Sequence, residues 1–296
     1  MPKNDNKQRK DRLLPILIIL VFVIGLIVFL VHSANQRKMA EKQEIYEQML
    51  QEAVAKMDDE ILGNEVPIEV PASTEEISEE SKETSEVIQT EILPQEPLMD
   101  FAYLKEQNSD IIAWVSIEDT SVEYPVLQSE DNDYYISHNI DGSKGYPGCI
   151  YAESYNKKNF TDPLTVIYGH NMKNGTMFGG LKDFQEENYF KEHKELVIHL
   201  PNENLHYELI AASLFSDRHL LQDDLSEENG QYKFEGMKGN EAVNFIQLLR
   251  DYGDKKGIFT ENSEIDETDK ILVLSTCCGN PNKRLLIVYK LTTSIR

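Results

Sequence analysis

One uncharged run near the N-terminus most constrains what this chain can fold into. Leu13–Val31 comprises 19 residues, nearly all apolar and none charged. As a helix, this run is roughly 28 Å long, which matches the hydrocarbon thickness of a bilayer. A secretory signal peptide has a shorter apolar region and a clear cleavage site of small residues. The run therefore predicts an uncleaved transmembrane helix over residues 13–31 rather than a buried core helix.

Basic residues before this run predict its orientation. The five of them are Lys3, Lys7, Arg9, Lys10 and Arg12. Loops rich in Lys and Arg stay on the cytoplasmic side of a membrane. We therefore expect residues 1–12 in the cytoplasm, a single pass through the cell membrane, and everything from residue 32 outside the cell.

The stretch after the apolar run is strongly acidic. The chain carries 52 acidic against 29 basic residues, a net charge of −23, and residues 41–100 hold 18 of the acidic residues against three lysines. Residues 35–60 have a helix-forming composition, whereas residues 63–97 are rich in Glu, Ser, Thr and Pro and contain no aromatic residue. Such a segment buries too little apolar surface to fold alone. Residues 32–98 are thus predicted to be a helix followed by a disordered acidic stalk.

Composition also excludes some classes of protein. Nucleic acid is not an expected partner, because its phosphates require clustered Lys and Arg. Three cysteines are too few for a small scaffold held together by disulfides. Cys277 and Cys278 are adjacent and lack the spacing of a zinc site, so no metal site is predicted.

Residues 99–296 have the composition of one globular, mainly β domain. Eight short runs rich in β-branched and aromatic residues are bounded by Gly, Pro, Asn or Asp, which predicts strands. The runs are Ile111–Ile117, Val122–Leu127, Cys149–Ala152, Leu164–Tyr168, Leu196–Leu200, Leu205–Phe215, Ile271–Cys277 and Leu285–Leu291. Helices are predicted near Met177–Phe184 and over Asn240–Tyr252. Many short strands with few helices favour a closed barrel or a sandwich.

Two of these strands end in residues suited to covalent catalysis. The run ILVLSTC ends in Cys277, and Cys278 in an extended chain points to the opposite face. The run LTVIY ends in Gly169 and then His170. If the two strands are neighbours, a thiol and an imidazole lie at the same rim. A nucleophilic thiol needs such a rigid, accessible position beside an acid or base.

A cation lies close to the same place. Arg284 follows Cys277 by seven residues, across the turn signal Gly-Asn-Pro-Asn, and begins the next strand. A short connection between antiparallel strands brings their ends together. A guanidinium at this position could stabilise an oxyanion formed by thiolate attack on a carbonyl.

The three motifs together resemble the sortase family, and most closely its class B branch. LSTC at 274–277 is similar to the family's strand with the catalytic cysteine, RLLIVYKL at 284–291 to the strand with its arginine, and YGHNMKNGTMFGGLKDF at 168–184 to the class B histidine segment. The resemblance covers residues 99–296, and the helix NEAVNFIQLLRDY fits the long loop that class B domains carry before the cysteine strand.

This resemblance implies a fold and an activity. The fold would be a closed eight-stranded β-barrel with peripheral helices, preceded by the transmembrane helix. The chain would be a membrane-anchored cysteine transpeptidase that cleaves the sorting motif of secreted proteins and passes them to a peptidoglycan amine. Cys277 would be the nucleophile, and His170 would be the general acid for the leaving amine and later the base for the incoming one. Arg284 would stabilise the oxyanion or position the substrate. No metal or organic cofactor is implied.

The resemblance also implies substrate-binding positions. Tyr168 and Ser275 lie two residues before His170 and Cys277, and Thr276 belongs to the cysteine signature. Asn132 and Ile136 lie in QSEDNDYYI, which is similar to a segment that contacts the sorting peptide in class B members. The chain departs from the family pattern in its short Cys-to-Arg loop with Pro281 and in the second thiol, Cys278, which we expect to remain free.

Other classes of protein remain open or are disfavoured. A papain-like peptidase has its cysteine before its histidine, near a helix N-terminus, which is the reverse of the order here. A pilin polymerase that uses a lysine amine would have the same fold and catalytic residues. A stalked, non-catalytic surface barrel would not need Cys277 or His170 for its function.

Overall fold

The computed structural model describes residues 5–63, 99–221, 225–228, 231–234, 236–261 and 263–295. Side chains are described from residue 19 to residue 55 in the first of these ranges, and residues 225–228 and 231–234 are described by their backbone only. The chain divides into two compact units, Met1–Gln48 and Met49–Arg296.

The first helix, α1 (Asp5–Gly63), contains the N-terminal apolar run. Within its described part, Ile19–Ala55 is long and apolar enough to cross a membrane by length and composition. The large apolar side chains from Ile19 to Val31 are exposed. The helix predicted over residues 35–60 lies within α1, whereas residues 64–98 of the predicted stalk lie outside the described residues.

The second unit is built mainly from short strands. They are β1 (Ile111–Ser116), β2 (Glu123–Leu127), β3 (Ile150–Ala152), β4 (Leu164–Tyr168), β5 (Glu195–Leu200), β6 (Glu203–Ser216), β7 (Leu225–Glu228), β8 (Gln231–Phe234), β9 (Ile258–Phe259), β10 (Ile271–Cys277) and β11 (Lys283–Ile295). The helices are α2 (Phe101–Gln107), α3 (Tyr134–Ser137), a 3₁₀ helix (Gly179–Gln185), α4 (Glu187–Glu192) and α5 (Glu241–Tyr252). The eight predicted strands are all present.

Eight of the strands close into a mixed barrel. The strand order is β11-β10-β4-β3-β2-β1-β5-β6, and β6 pairs with β11 to complete the circuit. Most pairs are antiparallel, but β2–β3 and β4–β10 are parallel. The prediction of a closed eight-stranded barrel with peripheral helices is therefore confirmed, and the sandwich alternative is wrong. Closure removes the unpaired edges that an open sheet would present.

Within the described ranges, three further strands lie outside the barrel circuit. The two-residue β9 pairs with β6 at Ala211 and Ala212, and β7 and β8 form a separate hairpin. None of the three was predicted. β9 is too short to give a periodic signal, and the β7–β8 hairpin lies in a polar stretch of the sequence.

Helix α5 covers part of the barrel wall with its apolar face. Ala242, Phe245, Ile246 and Leu249 are all at most 4% exposed. They pack in one cluster with side chains from β4, β6, β10 and β11. Burying a large aliphatic or aromatic side chain contributes about 1.5–3 kcal/mol each. This packing holds the strands that carry the candidate site.

Candidate active site

The parallel pairing of β4 and β10 brings the predicted histidine and cysteine together. In its register Ser275 lies beside Tyr168, so His170 and Cys277 each lie two residues beyond a matched pair. Neighbouring strands are about 4.8 Å apart. The two side chains therefore lie at the same rim of the barrel, as the strand ends predicted.

Three hydrogen bonds extend this pairing past the end of β4. The Gly169 N–H donates to the Ser275 carbonyl at 3.2 Å. The Thr276 hydroxyl donates to the Gly169 carbonyl at 2.7 Å. The Asn171 side-chain amide donates to the Cys277 carbonyl at 2.6 Å. The segment that carries His170 is thus bonded directly to the segment that carries Cys277.

Exposure distinguishes the two adjacent cysteines. Cys277 is exposed and Cys278 is partly buried. The Cys278 thiol lies 3.4 Å from the Lys283 carbonyl, inside the loop that connects β10 to β11. Cys149 is buried, and Cys277 and Cys278 are free thiols, as was expected for Cys278. A nucleophile must be reachable by substrate, so the structure favours Cys277 over Cys278.

The imidazole of His170 is oriented from one side. Its Nε2 atom lies 2.9 Å from the Ile136 carbonyl oxygen. A carbonyl can only accept a hydrogen bond, so Nε2 carries the proton in this contact. The Tyr146 ring packs near the imidazole, with 5.3 Å between ring centroids. This arrangement leaves Nδ1 as the nitrogen for exchanging a proton with a substrate.

Arg284 lies directly across from Cys277 in the β10–β11 pair. Its guanidinium donates to the Lys283 carbonyl at 3.1 Å and to the Pro281 carbonyl at 3.4 Å. It therefore folds against its own loop. Its positive charge still acts on Tyr168. Burial is the main cause that raises the pKa of the Tyr168 hydroxyl well above the ordinary value, and the charge of Arg284 partly offsets this rise.

The predicted substrate-binding residues differ in accessibility. Ile136 is 40% exposed, and Tyr168 is partly exposed. Ser275 and Thr276 are only 4% and 3% exposed, and the Thr276 hydroxyl is bonded to Gly169. Asn132 accepts the Ser154 N–H at 2.8 Å. Direct contact of these five residues with a peptide stays a prediction.

Glu153 was not predicted, although it contacts two of the predicted substrate-binding residues, Tyr168 and Asn132. It directly follows β3, and its residue exposure is 0%. Burial raises the pKa of its carboxyl, but hydrogen bonds from His219, Asn132 and Tyr168 outweigh burial and lower it below the ordinary value. The strand-end signal that identified His170 applies to Glu153 as well. Asn171 was also missed, because its partner is 106 residues away in the sequence.

No cluster of three or more His, Cys, Asp or Glu side chains in the described ranges is arranged to hold a metal ion. The arrangement at the rim instead combines an exposed thiol, an imidazole oriented by a carbonyl, and a guanidinium. These groups can carry out nucleophilic acyl transfer.

Comparison with known proteins identifies relatives of this chain. No protein-family model matches it. A sortase B from Listeria monocytogenes is 31% identical over 194 residues, which is 64% of this chain and 73% of that protein. The X-ray structure of Clostridium perfringens sortase B has 27% identity, covers 65% of this chain and 99% of that chain, and superposes with a TM-score of 0.55.

A further structure supports the fold alone. A Staphylococcus aureus sortase B–substrate complex is 21% identical, covers 66% of this chain and 85% of that chain, and has a TM-score of 0.55. Its barrel is shared at a level of sequence identity too low to carry function. The Listeria relative also supports the family assignment, because it is 31% identical and matches across 73% of its own length. The chain therefore belongs to the class B sortases and is a cysteine transpeptidase of that family.

Proposed function

We propose that this sortase cleaves a C-terminal sorting motif of secreted proteins at Cys277 and transfers them to a peptidoglycan amine. The observation that carries the proposal is the strand register. β4, β10 and β11 are neighbours, and their register puts His170, Cys277 and Arg284 at one rim.

The first half-reaction forms a thioester. The Cys277 thiolate attacks the scissile carbonyl carbon of the sorting motif and forms a tetrahedral oxyanion. His170 gives a proton to the departing amine as the carbon–nitrogen bond breaks. The acyl part of the substrate stays on the Cys277 sulfur, and the C-terminal part leaves as a free amine.

Arg284 stabilises the oxyanion in this scheme. Its guanidinium is permanently charged and lies across the strand pair from Cys277. The hydrogen bonds to the loop carbonyls would have to give way for it to reach the oxyanion. Removing one oxyanion donor typically costs about 10²- to 10³-fold in kcat.

The second half-reaction releases the product. An amine of a peptidoglycan precursor attacks the thioester, His170 accepts its proton, and the thiolate is regenerated.

Residues 13–31 anchor the enzyme as a single transmembrane helix, with residues 1–12 in the cytoplasm. The domain of residues 99–296 lies outside the cell, where secreted proteins and the cell wall meet. Residues 32–98 form the spacer.

The test is cleavage of fluorogenic peptides by the full chain in detergent. One peptide carries an NPQTN-type motif and the other an LPXTG-type motif. Variants Cys277→Ala and His170→Ala should abolish cleavage, and Arg284→Lys should lower kcat/KM by about 10²-fold, because the charge remains and the fork of donors is lost.

Cys278→Ala is the matched control for the nucleophile. It removes the neighbouring thiol, and cleavage should persist with a thioester detectable by mass at Cys277. If Cys278→Ala were the only variant to lose cleavage, Cys278 rather than Cys277 would be the nucleophile. A folded wild-type protein that cleaves neither peptide and traps no acyl group would contradict the proposed function.

A further inference from the structure

A single buried carboxylate joins three separate segments beneath the candidate site. Glu153 has 0% exposed area. The three segments are the end of β4, the stretch between β2 and α3, and the stretch after β6. Two of the residues that contact it, Tyr168 and Asn132, are predicted to bind the peptide. Glu153 has no assigned part in the proposed reaction.

One carboxylate oxygen holds the segment before α3. Asn132 donates its side-chain amide to Glu153 Oε1 at 2.5 Å. The Ser154 hydroxyl donates to the same oxygen at 3.2 Å. Asn132 Oδ1 also accepts the Ser154 N–H. Both ends of the Asn132 side chain are therefore fixed relative to Glu153.

The other carboxylate oxygen holds β4 and the segment after β6. Tyr168 donates its hydroxyl to Glu153 Oε2 at 2.9 Å. His219 Nε2 lies 2.8 Å from the same oxygen. The Tyr168 ring also lies 5.3 Å from the Tyr151 ring. Tyr168 is thus held by a ring contact and by the carboxylate.

Burying an ionised carboxylate is costly unless it is paired and hydrogen-bonded. Here the described contacts provide side-chain donors to both oxygens, so the charge is satisfied. Removing the charge would leave several oriented donors without their common acceptor. The loss would be felt at Tyr168 and Asn132, the two contacts of Glu153 that are predicted to bind the peptide.

We propose that Glu153 is a positioning residue for peptide binding, which fixes Tyr168 and Asn132 in the peptide site and links them through His219 to the segment after β6. This inference rests on the proposed function, since it assumes that a sorting peptide occupies this rim. Glu153 does not touch the reacting atoms. Its loss should therefore weaken peptide binding more than it slows chemistry.

The first measurement is peptide affinity on a Cys277→Ala background, which cannot form a thioester. The probe is the fluorescently labelled NPQTN-type peptide, and the protein is the full chain in detergent. Glu153→Gln should raise the Kd about tenfold, as expected for losing a hydrogen bond to a charged group. In the chain with Cys277 intact, KM should rise about tenfold and kcat should stay within roughly threefold.

Three further variants test the contacts one at a time. Tyr168→Phe keeps the ring and removes the hydroxyl, and its effect should not add to that of Glu153→Gln, because both remove one interaction. His219→Ala should weaken peptide binding, and His219→Gln, which retains an N–H donor, should restore most of it. A purely structural role of His219 would not produce this rescue.

Asp162→Asn is the control for loss of a buried charge. Asp162 is 4% exposed, accepts hydrogen bonds from Asn156 and Lys157, and lies just before β4, at the end opposite His170. Its variant should keep the wild-type Kd and KM. If Glu153→Gln does not fold, Tyr168→Phe and the two His219 variants decide the question.

The outcomes separate this inference from the proposed function. Weaker peptide binding in Glu153→Gln would support the positioning role even if the wild-type protein cleaved neither peptide. The absence of cleavage would then contradict only the proposed activity. Unchanged Kd and KM in the folded variants would overturn the positioning role while cleavage stands. A fall in kcat alone would also overturn it, as would failure of the Cys277→Ala protein to bind the NPQTN-type peptide.

Discussion

At the scale of single residues, two glutamates, one buried and one partly buried, show how the surroundings set the pKa of a carboxyl. Burial raises the pKa of Glu153, but donors from three segments outweigh burial and lower it. Burial also raises the pKa of Glu123, and the hydrogen bond from the Trp114 indole, 2.7 Å long, only partly offsets this. The hydrogen-bond donors and charge around each carboxyl therefore decide whether its pKa lies below or above the ordinary value.

These opposite shifts predict opposite effects of pH on stability. A carboxyl whose pKa is lowered in the folded state stabilises the fold at pH values above its ordinary pKa of 4.5. It loses that effect as the pH falls through the folded-state pKa. Glu153→Gln should therefore lower stability by roughly 1–3 kcal/mol at neutral pH. The gap to wild type should close below pH 4.5, as measured by thermal unfolding across pH.

Glu123→Gln provides the matched comparison. A carboxyl whose pKa is raised on folding contributes stability at low pH that is lost as the pH rises through the folded-state pKa. The stability of the Glu123→Gln variant relative to wild type should therefore increase as the pH rises. The relative stability of Glu153→Gln should change in the opposite direction. The same slope for both variants would contradict the account of Glu153.

At the scale of elements, the end of β4 is packed too closely for any side chain at Gly169. A Cβ atom there would lie 2.4 Å from Ile150 Cδ1 and 2.6 Å from Phe178 Cδ2. Real Cβ atoms do not approach other atoms this closely, so the Ile150 and Phe178 side chains would have to shift. The glycine lets His170 follow β4 immediately at the rim.

Gly169→Ala should therefore disturb both stability and catalysis. Overpacking of this kind costs about 1–3 kcal/mol, and the shift should move His170 relative to Cys277. We expect a lower unfolding temperature and a lower kcat for peptide cleavage. In Gly180→Ala the nearest atom to the new Cβ is the flexible Ser121 hydroxyl, at 3.1 Å. That control should keep the wild-type kcat; equal losses in both variants would count against a local effect at β4.

At the scale of the whole molecule, the chain combines a long apolar N-terminal helix with a closed barrel. The apolar part of α1 presents its large side chains to the surroundings, which is typical of a segment that lies in lipid. The barrel instead buries its apolar residues internally, with Trp114 and Tyr289 both 0% exposed. The two parts are thus suited to different solvents.

This difference supports a prediction about orientation. In intact cells that express the full chain with a different epitope tag at each end, external protease should remove the C-terminal tag and spare the N-terminal tag. The basic residues before residue 13 give the physical reason. Lysed cells, in which both tags should be digested, are the control. Protection of the C-terminal tag in intact cells would reverse the proposed topology.

Local patterns account for what could be predicted from the sequence by itself. β4 and β10 have the predicted bounds, Leu164–Tyr168 and Ile271–Cys277, because β-branched runs with clear punctuation specify strands locally. His170, Cys277 and Arg284 were predicted as site residues because each lies at a strand end. The uncharged run predicted a membrane-spanning helix by its length alone, without any long-range contact.

Only the tertiary structure decided which strand ends meet. The sequence left barrel and sandwich open until the family resemblance was used, and the β6–β11 pairing closes the barrel. The contact of Asn171 with Cys277 spans 106 residues, and Glu153 collects donors from three distant segments. No local pattern encodes such contacts, because they arise from pairing and packing between segments that are remote in the chain.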